Sequence, residues 1–238
     1  PSQAGSHRVI EAFIAGGVDA IEIGYPYSDP VMDGPTIQAA AVTSLANGTG
    51  AAEVLAALKF ASATVPAVVM TYWNPIERYG VAEFAEAIAA NGGSGVITPD
   101  LTIEESVGWI SAVQGSSINP IYVVAPSTKD QRLAQVTSKC GGFIYAASLM
   151  GVTGARASLS SSAAELVARI RKTSALPVAV GLGVSTREQA KGVAAYADGV
   201  IVGSAFIKAM QDAPNEEAGL KSVTELAREL AKGVREGR

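Results

Sequence analysis

The sequence predicts an α/β protein of the (β/α)8, or TIM, barrel class. Short apolar segments rich in Val and Ile alternate along the chain with longer segments whose apolar residues recur at helical spacing. Continuous apolar strands separated by helices indicate a parallel sheet that is covered on both faces. The 238 residues, of which 48% are hydrophobic, are sufficient for one large core, so we expect a single domain over residues 1–238.

Seven strands can be recognised by their apolar, β-branched character. They begin near residues 19, 66, 94, 120, 142, 177 and 199. A barrel of this class needs eight strands, and the chain opens at Pro1 in a predicted loop. We therefore expect a first strand that belongs before Pro1 and is missing from this sequence. A doubly wound open sheet is the alternative, although no Gly-x-Gly-x-x-Gly follows the first strand.

Helices are predicted between the strands and at both ends of the chain. The first has an apolar stripe at Val9, Ile10, Phe13 and Ile14. The others are expected near residues 36–46, 51–62, 82–90, 103–113, 129–139, 163–172, 186–196 and 216–235. Capping-box spacing marks three of the helix starts, at Thr102/Glu105, Ser162/Glu165 and Ser185/Glu188.

Composition excludes several classes of function. The net charge is −4 and no block of Lys or Arg occurs, which argues against nucleic acid and anionic membranes as partners. No apolar run reaches transmembrane length and no signal peptide pattern opens the chain, so a cytoplasmic protein is expected. His7 is the only histidine and Cys140 the only cysteine. A zinc cluster is therefore not expected, and acid–base chemistry should fall to carboxylates, tyrosines or lysines.

His7 is the one residue on which a Ser-His-Asp or Cys-His mechanism could rely. It lies in the first predicted helix, near its start, and we expect it on the exposed side of that helix. Such a mechanism is therefore not favoured.

Two acids stand at the end of the first strand and in the loop that follows. Glu22 lies on the opposite strand face from Ile21 and Ile23, and Asp33 lies in an Asp-Gly-Pro turn. Desolvation would raise the pKa of Glu22 and let it act as both acid and base near neutrality. The alternatives are an ion pair for Glu22 and ordinary turn chemistry for Asp33.

Glycine-rich loops follow the last two predicted strands. They read Gly181-Leu182-Gly183-Val184-Ser185 and Gly203-Ser204-Ala205. In barrels of this class the loops after strands seven and eight often bind phosphate, because glycines let backbone N–H groups approach an anion at a helix start. Each glycine alone could be a simple bend. Together they predict a small phosphorylated ligand.

A long segment rich in small polar residues follows the strand near residue 142. It reads Y-A-A-S-L-M-G-V-T-G-A-R-A-S-L-S-S-S from Tyr145. Its length and composition are typical of a lid that orders over a substrate, and a flexible connection is the alternative.

The string E-I-G-x-P-x-S-D-P-x-x-D-G-P-x-I-Q, from Glu22 to Gln38, resembles the strand–loop segment of the tryptophan synthase α subunit family. The string G-F-I-Y-x-x-S-x-x-G-V-T-G from Gly142 and the two phosphate loops resemble the same family. The resemblance implies that Glu22 handles the proton at indole C3 and that Asp33 binds the indole N–H. It further implies that Tyr145 is a supporting hydroxyl, that Thr153 is a lid residue meeting Asp33, and that Gly154 contacts phosphate.

The family resemblance extends over nearly the whole chain. The segments M-T-Y-W-N-P-I and I-T-P-D-L also match, which implies an indole-binding wall at Met70, Tyr72, Ile97 and Val123. Three of these, Met70, Ile97 and Val123, could equally be ordinary barrel core. The sequence departs from the family at Leu182, where an aromatic residue is common, and at Thr102, where proline is common. The first departure bears on ring contacts and not on phosphate binding.

The activity implied by the resemblance is retro-aldol cleavage of indole-3-glycerol phosphate to indole and glyceraldehyde 3-phosphate. None of the predicted strands has a Lys at its end for a Schiff base, and no ligand set for a zinc aldolase occurs, which leaves tautomerisation of the ring by Glu22 and Asp33. No cofactor is expected in this chain. The implied partner is the pyridoxal-phosphate β subunit in an αββα heterotetramer, with contacts at Asp29–Thr36 and Asp100–Glu104.

Two other functions remain open from the sequence. A phosphosugar isomerase or epimerase would keep the phosphate loops but has no reason to have the S-D-P-x-x-D-G-P segment. A non-enzymatic partner-binding module would activate another subunit without needing Glu22.

Overall fold

Helices and parallel strands alternate along the chain, as the sequence predicts. The computed structural model describes residues 3–148, 156–181 and 183–238, except for the side chains of residue 3 and residues 156–161. The strands are β1 (Ile21–Gly24), β2 (Ala67–Met70), β3 (Gly95–Ile97), β4 (Asn119–Ile121), β5 (Val123–Val124), β6 (Ile144–Ala147), β7 (Val178–Gly181) and β8 (Gly199–Ile201). The helices are α1 (Gln3–Gly16), α2 (Pro35–Ala46), α3 (Ala51–Ser62), α4 (Trp73–Tyr79), α5 (Val81–Ala90), α6 (Val107–Gln114), α7 (Asp130–Thr137), α8 (Arg156–Ile170), α9 (Arg187–Ala194), α10 (Ser204–Gln211) and α11 (Glu216–Gly237).

The strands form two parallel four-stranded sheets, with orders β1-β2-β3-β4 and β5-β6-β7-β8. The strand predicted over residues 120–124 is divided at Tyr122, because β4 pairs with β3 whereas β5 pairs with β6. At this point the Ile121 carbonyl accepts a hydrogen bond from Thr98 and the Tyr122 carbonyl accepts one from Tyr145. One continuous stretch of chain thereby joins the two sheets into a single curved wall.

Several predicted helix boundaries are wrong. Helices α4 and α10 were not predicted, and α6 begins at Val107 because residues 103–106 form turns in which Ser106 Oγ donates to the Ile103 carbonyl. Ser162 lies inside α8, so the last residues of the predicted lid are helical. The capping box of α9 is formed by Thr186 and Gln189, one residue beyond the predicted pair.

The strands separate two apolar regions. The larger lies between the strands and the outer helices and includes Trp109, Phe84 and Leu58, which are fully buried. The smaller lies in the barrel lumen, where Ile97, Ile121 and Tyr145 pack with Met70 and other partly buried side chains. Alternation along each strand produces this division, since successive side chains point to opposite faces. Any polar side chain that faces the lumen is therefore surrounded by other strands.

Helices pack against one another on the side of the barrel between the first strand, β1, and the last, β8. Within the described residues the strand pairings do not join β8 to β1. On this side α1 packs on α11, and the ring of Phe13 meets that of Phe206 in α10 edge-on at a centroid distance of 4.7 Å. The helix α2 also contacts α10. The helical layer of the barrel is thus continuous across the opening.

His7 does not lie on the exposed side of α1, so that prediction is wrong. Its ring stacks on Phe60 of α3, with the ring centroids 4.1 Å apart and the planes 5° from parallel. Its Nε2 atom is buried. The apolar packing between α1 and α3 includes the histidine because its ring, like that of Phe60, presents a flat face.

The close contact between α11 and α9 provides a test of this packing. A Cβ atom at Gly233 would lie 2.2 Å from the Arg187 carbonyl oxygen, whereas a Cβ at Gly192 in α9 would meet nothing within 4 Å. We expect Gly233→Ala to lower the free energy of unfolding by about 1–3 kcal/mol through overpacking. Gly192→Ala should raise it by about 0.5–1 kcal/mol through helix propensity. Urea unfolding measures both, and equal effects of the two substitutions would contradict the described contact.

Candidate active site

Four polar side chains converge at the carboxyl ends of the strands. Glu22 lies on β1, Asp33 in the loop after β1, Tyr72 directly after β2, and Tyr145 on β6. The structure couples them electrostatically, since the charge of Asp33 acts on Glu22, on Tyr72 and on Tyr145. The structure thus brings Glu22 and Asp33, which the sequence predicts to belong to one site, close enough to interact.

Glu22 lies inside the barrel, in register with Val68 of the lumen cluster. Burial raises its pKa to about 7, and the neighbouring Asp33 carboxylate adds to the rise. The residue nevertheless keeps exposed surface, because the lumen admits water at this position. Protein surrounds the carboxyl group while water still reaches it, so we expect water to moderate the rise in pKa without cancelling it.

Asp33 is half-buried in a loop that is held at both sides. The Gln38 side-chain amide donates to the Asp33 carbonyl oxygen at 2.7 Å. The backbone N–H of Met32 donates to the Tyr72 hydroxyl at 3.1 Å. Burial raises the pKa of the Asp33 carboxyl, and a hydrogen bond from the Tyr72 hydroxyl opposes that rise. The loop therefore presents a carboxylate to the lumen in a fixed position.

Tyr145 projects from β6 into the lumen. Burial, Glu22 and Asp33 all raise the pKa of its phenol above the ordinary value, so the hydroxyl stays protonated and can donate a hydrogen bond. Its ring lies against Gly181 of β7, where a Cβ atom would be 2.6 Å from the phenol oxygen. Glycine at 181 is thus required by the neighbouring side chain.

Three of the four predicted wall residues line the lumen beside these groups. Ile97 is fully buried, and Met70 and Val123 are partly buried in the cluster that contains Tyr145. The fourth, Tyr72, packs against the ring of Tyr27 at a centroid distance of 5.3 Å. These side chains therefore form an apolar surface in the lumen, beside the two carboxyl groups.

The predicted phosphate loops lie side by side at the ends of β7 and β8. Gly181 is in register with Ile201, and Gly183 has a φ of +70°, which favours glycine. Gly203 caps α10 and Ser204 is its first residue, so free N–H groups of the helix start point towards this rim. Val184 is buried in the core, with only 1% of the residue exposed, so it is not presented at this surface. Thr153, Gly154 and Leu182 lie outside the described residues.

Several residues of the site were not recognised from the sequence. Tyr27 and Gln38 lie within the string on which the resemblance was based, but nothing in a linear pattern shows which loop residues bond to one another. Asp100, predicted only as part of a partner-contact segment, lies on the loop after β3, and its two carboxylate oxygens accept hydrogen bonds from the Trp73 N–H at 2.9 and 3.1 Å. The sequence feature that could have indicated Asp100 is its position directly after a proline that follows a strand.

Within the described ranges, no group of three or more His, Cys, Asp or Glu side chains is placed to bind a metal ion. Over the same ranges, no helix combines the length and apolarity needed to cross a bilayer.

A family model described as tryptophan synthase alpha chain matches residues 1–235. The chain belongs to the tryptophan synthase alpha chain family. The alpha chain of Streptomyces avermitilis is 52% identical over 239 residues, covering 100% of this chain and 86% of that relative. The alpha chain of Thermobifida fusca is also 52% identical, covering 99% of this chain and 88% of the relative.

Solved structures confirm the predicted fold class. Ligand-free tryptophan synthase from M. tuberculosis superposes with a TM-score of 0.89 at 45% identity, covering 98% of this chain and 87% of that one. A tryptophan synthase α2β2 complex from Pyrococcus furiosus gives a TM-score of 0.88 at 33% identity, covering 97% and 93%. The chain is therefore a (β/α)8 barrel and, as a member of this family, a lyase of tryptophan biosynthesis.

The coupling between Glu22 and Asp33 can be measured directly. In the wild type we expect the Glu22 carboxyl to titrate near pH 7, and in Asp33→Asn at lower pH, because removing a nearby negative charge favours ionisation of Glu22. The measurement is carbon-13 NMR of labelled glutamate, with Glu22→Gln to assign the signal. Asp29→Asn, on the same loop, is the matched control and should leave the titration unchanged. An ordinary pKa of Glu22 in every variant would contradict the described site.

Proposed function

We propose that the chain cleaves indole-3-glycerol phosphate to indole and glyceraldehyde 3-phosphate by a retro-aldol reaction, with Glu22 as the acid and base and Asp33 as the group that stabilises the ring. The observation that supports this most is Glu22 itself: a carboxyl group inside the lumen, opposite an apolar wall, with its pKa raised to about 7. A carboxyl group with that pKa can give and take a proton near neutral pH.

The chemistry follows from the placement of the two acids. Protonated Glu22 donates a proton to C3 of the indole ring, and the positive character of the ring nitrogen is balanced by the Asp33 carboxylate, which accepts the N–H. A base then removes the proton of the hydroxyl on the adjacent side-chain carbon. The carbon–carbon bond breaks, its electrons return to the ring, and the aldehyde leaves. Glu22, ionised by the first step, is proposed as that base.

The apolar wall and the glycine loops are proposed to hold the two ends of the substrate. Met70, Ile97 and Val123 offer a surface for a flat ring. At the other side, the backbone around Gly181 and Gly183 and the start of α10 offer N–H donors to a phosphate. Tyr145 lies between these regions and can donate to the glycerol portion of the substrate. The ligand is thus fixed at two points while its central bond faces the carboxyl groups.

We also propose that the chain works with a β subunit, as the relative in the α2β2 complex from Pyrococcus furiosus does. The segments Asp29–Thr36 and Asp100–Glu104 both lie at the rim formed by the strand ends, and the first includes the exposed apolar side chain of Val31, which is 79% exposed. Pyridoxal phosphate is assigned to the partner and no cofactor to this chain. The cytoplasm is the proposed location.

Kinetics of matched variants test the roles of the two acids. We expect Glu22→Gln to reduce indole release by roughly 10²–10⁴-fold, because the amide cannot transfer the proton. Asp33→Asn should cost roughly 10²–10³-fold through lost charge stabilisation. Glu86→Gln, on the exposed surface of α5, is the control and should behave as the wild type. The measurement is release of indole from indole-3-glycerol phosphate, with and without a β subunit.

Two outcomes would redirect the assignment. Near wild-type turnover in Glu22→Gln would remove that residue from the mechanism. If no protein releases indole although each still raises the activity of the β subunit, the chain is a partner-binding module and not a lyase.

A further inference from the structure

The Tyr72 hydroxyl joins two parts of the active site that are distant in sequence. It accepts a hydrogen bond from the backbone N–H of Met32 at 3.1 Å, across 40 residues of chain. The same hydroxyl lowers the pKa of the carboxyl group of the next residue, Asp33. One phenol oxygen therefore holds the backbone of the loop at the residue that directly precedes Asp33.

Tyr72 is itself held firmly. Its side chain is only 4% exposed, and its ring packs on Tyr27 from the same loop. Its backbone precedes α4, whose first N–H, that of Trp73, is bound by both carboxylate oxygens of Asp100 at 2.9 and 3.1 Å. The hydroxyl of Thr71 donates to the Tyr72 carbonyl at 3.2 Å. The phenol is thus anchored to β2 and to the loop after β3, which are parts of the barrel wall.

We propose that Tyr72 is the positioning residue for Asp33, fixing the loop through the Met32 N–H and orienting the Asp33 carboxylate towards the substrate nitrogen. This inference rests on the proposed role of Asp33. This role differs from the predicted role of Tyr72 in the indole-binding wall. A wall residue changes the affinity for substrate, whereas a positioning residue changes the rate of the catalytic step.

The electrostatic surroundings of Asp33 explain why a donor is needed there. The titratable groups that interact with it are Glu22 on β1, Tyr72 after β2 and Tyr145 on β6. The carboxylate is half-buried, and burial favours its neutral form. Among these neighbours, the Tyr72 hydroxyl is the group whose hydrogen bond lowers the pKa of Asp33. It therefore helps to keep Asp33 ionised, as the proposed reaction requires.

Tyr72→Phe removes the hydroxyl and keeps the ring. We expect kcat for indole release to fall roughly 10- to 100-fold, as for a small misplacement of a catalytic group, with KM changed less than about twofold. The acidic limb of the kcat/KM profile, set by ionised Asp33, should move to higher pH, whereas the alkaline limb, set by protonated Glu22, should stay in place. The assays use the chain together with a β subunit.

Tyr79→Phe is the matched control, because Tyr79 lies at the other end of α4 and is 39% exposed. It should leave kcat, KM and both limbs of the pH profile unchanged.

A second variant distinguishes the proposed effect from a loss of folding. A ring-fluorinated tyrosine at position 72 is a stronger hydrogen-bond donor, so it should move the acidic limb to lower pH, which is opposite to the shift expected for Tyr72→Phe. Thermal melts of all variants verify that the proteins are folded.

The outcomes separate this inference from the function on which it rests. If Asp33→Asn loses activity but Tyr72→Phe and the fluorinated protein keep the wild-type acidic limb, Tyr72 does not position Asp33. A rise in KM alone would place Tyr72 in the ring-binding wall and also overturn the proposal. If Glu22→Gln and Asp33→Asn both retain wild-type rates, the proposed function itself is wrong.

Discussion

Parallel pairing of the strands is the constraint on which the site depends. Because every described strand pair is parallel, the carboxyl ends of the strands meet at one rim. Glu22 on β1 and Tyr145 on β6 are far apart in sequence, yet both face the same lumen. The glycines after β7 and β8 reach the rim by the same rule. A slip of one residue in the register of a strand would turn its lumen-facing side chains to the outer face.

The position of Glu22 has a thermodynamic cost. Its ordinary pKa is 4.5, and in the folded protein it is raised to about 7. The folded protein therefore holds this proton over a pH range in which the unfolded chain has released it. The contribution of Glu22 to stability is complete below about pH 4.5 and is lost as the pH rises through about 7. At neutral pH the site is thus maintained by the packing of the rest of the barrel.

Much of this architecture can be predicted from the sequence, because strand periodicity is a local signal. All seven strand positions correspond to strands in the structure. The division at Tyr122 could not be predicted, since it depends on which neighbour each half pairs with. The helices α4 and α10 were missed. His7 was misplaced because its partner, Phe60, lies in another helix. For the site, the string that resembles the family contains Glu22 and Asp33, but the hydrogen bonds that Gln38 and Tyr72 make with this loop exist only in the folded structure.

The contact between Tyr145 and Gly181 gives a structural reason for glycine at this position of the predicted phosphate loop. Any side chain at 181 would occupy the space of the phenol oxygen. The neighbouring strand therefore constrains this position independently of any ligand. A relative that kept the tyrosine but no longer bound phosphate would still be expected to have glycine there, whereas one that replaced the tyrosine with a smaller residue would be free to vary it. The two positions should consequently evolve as a pair.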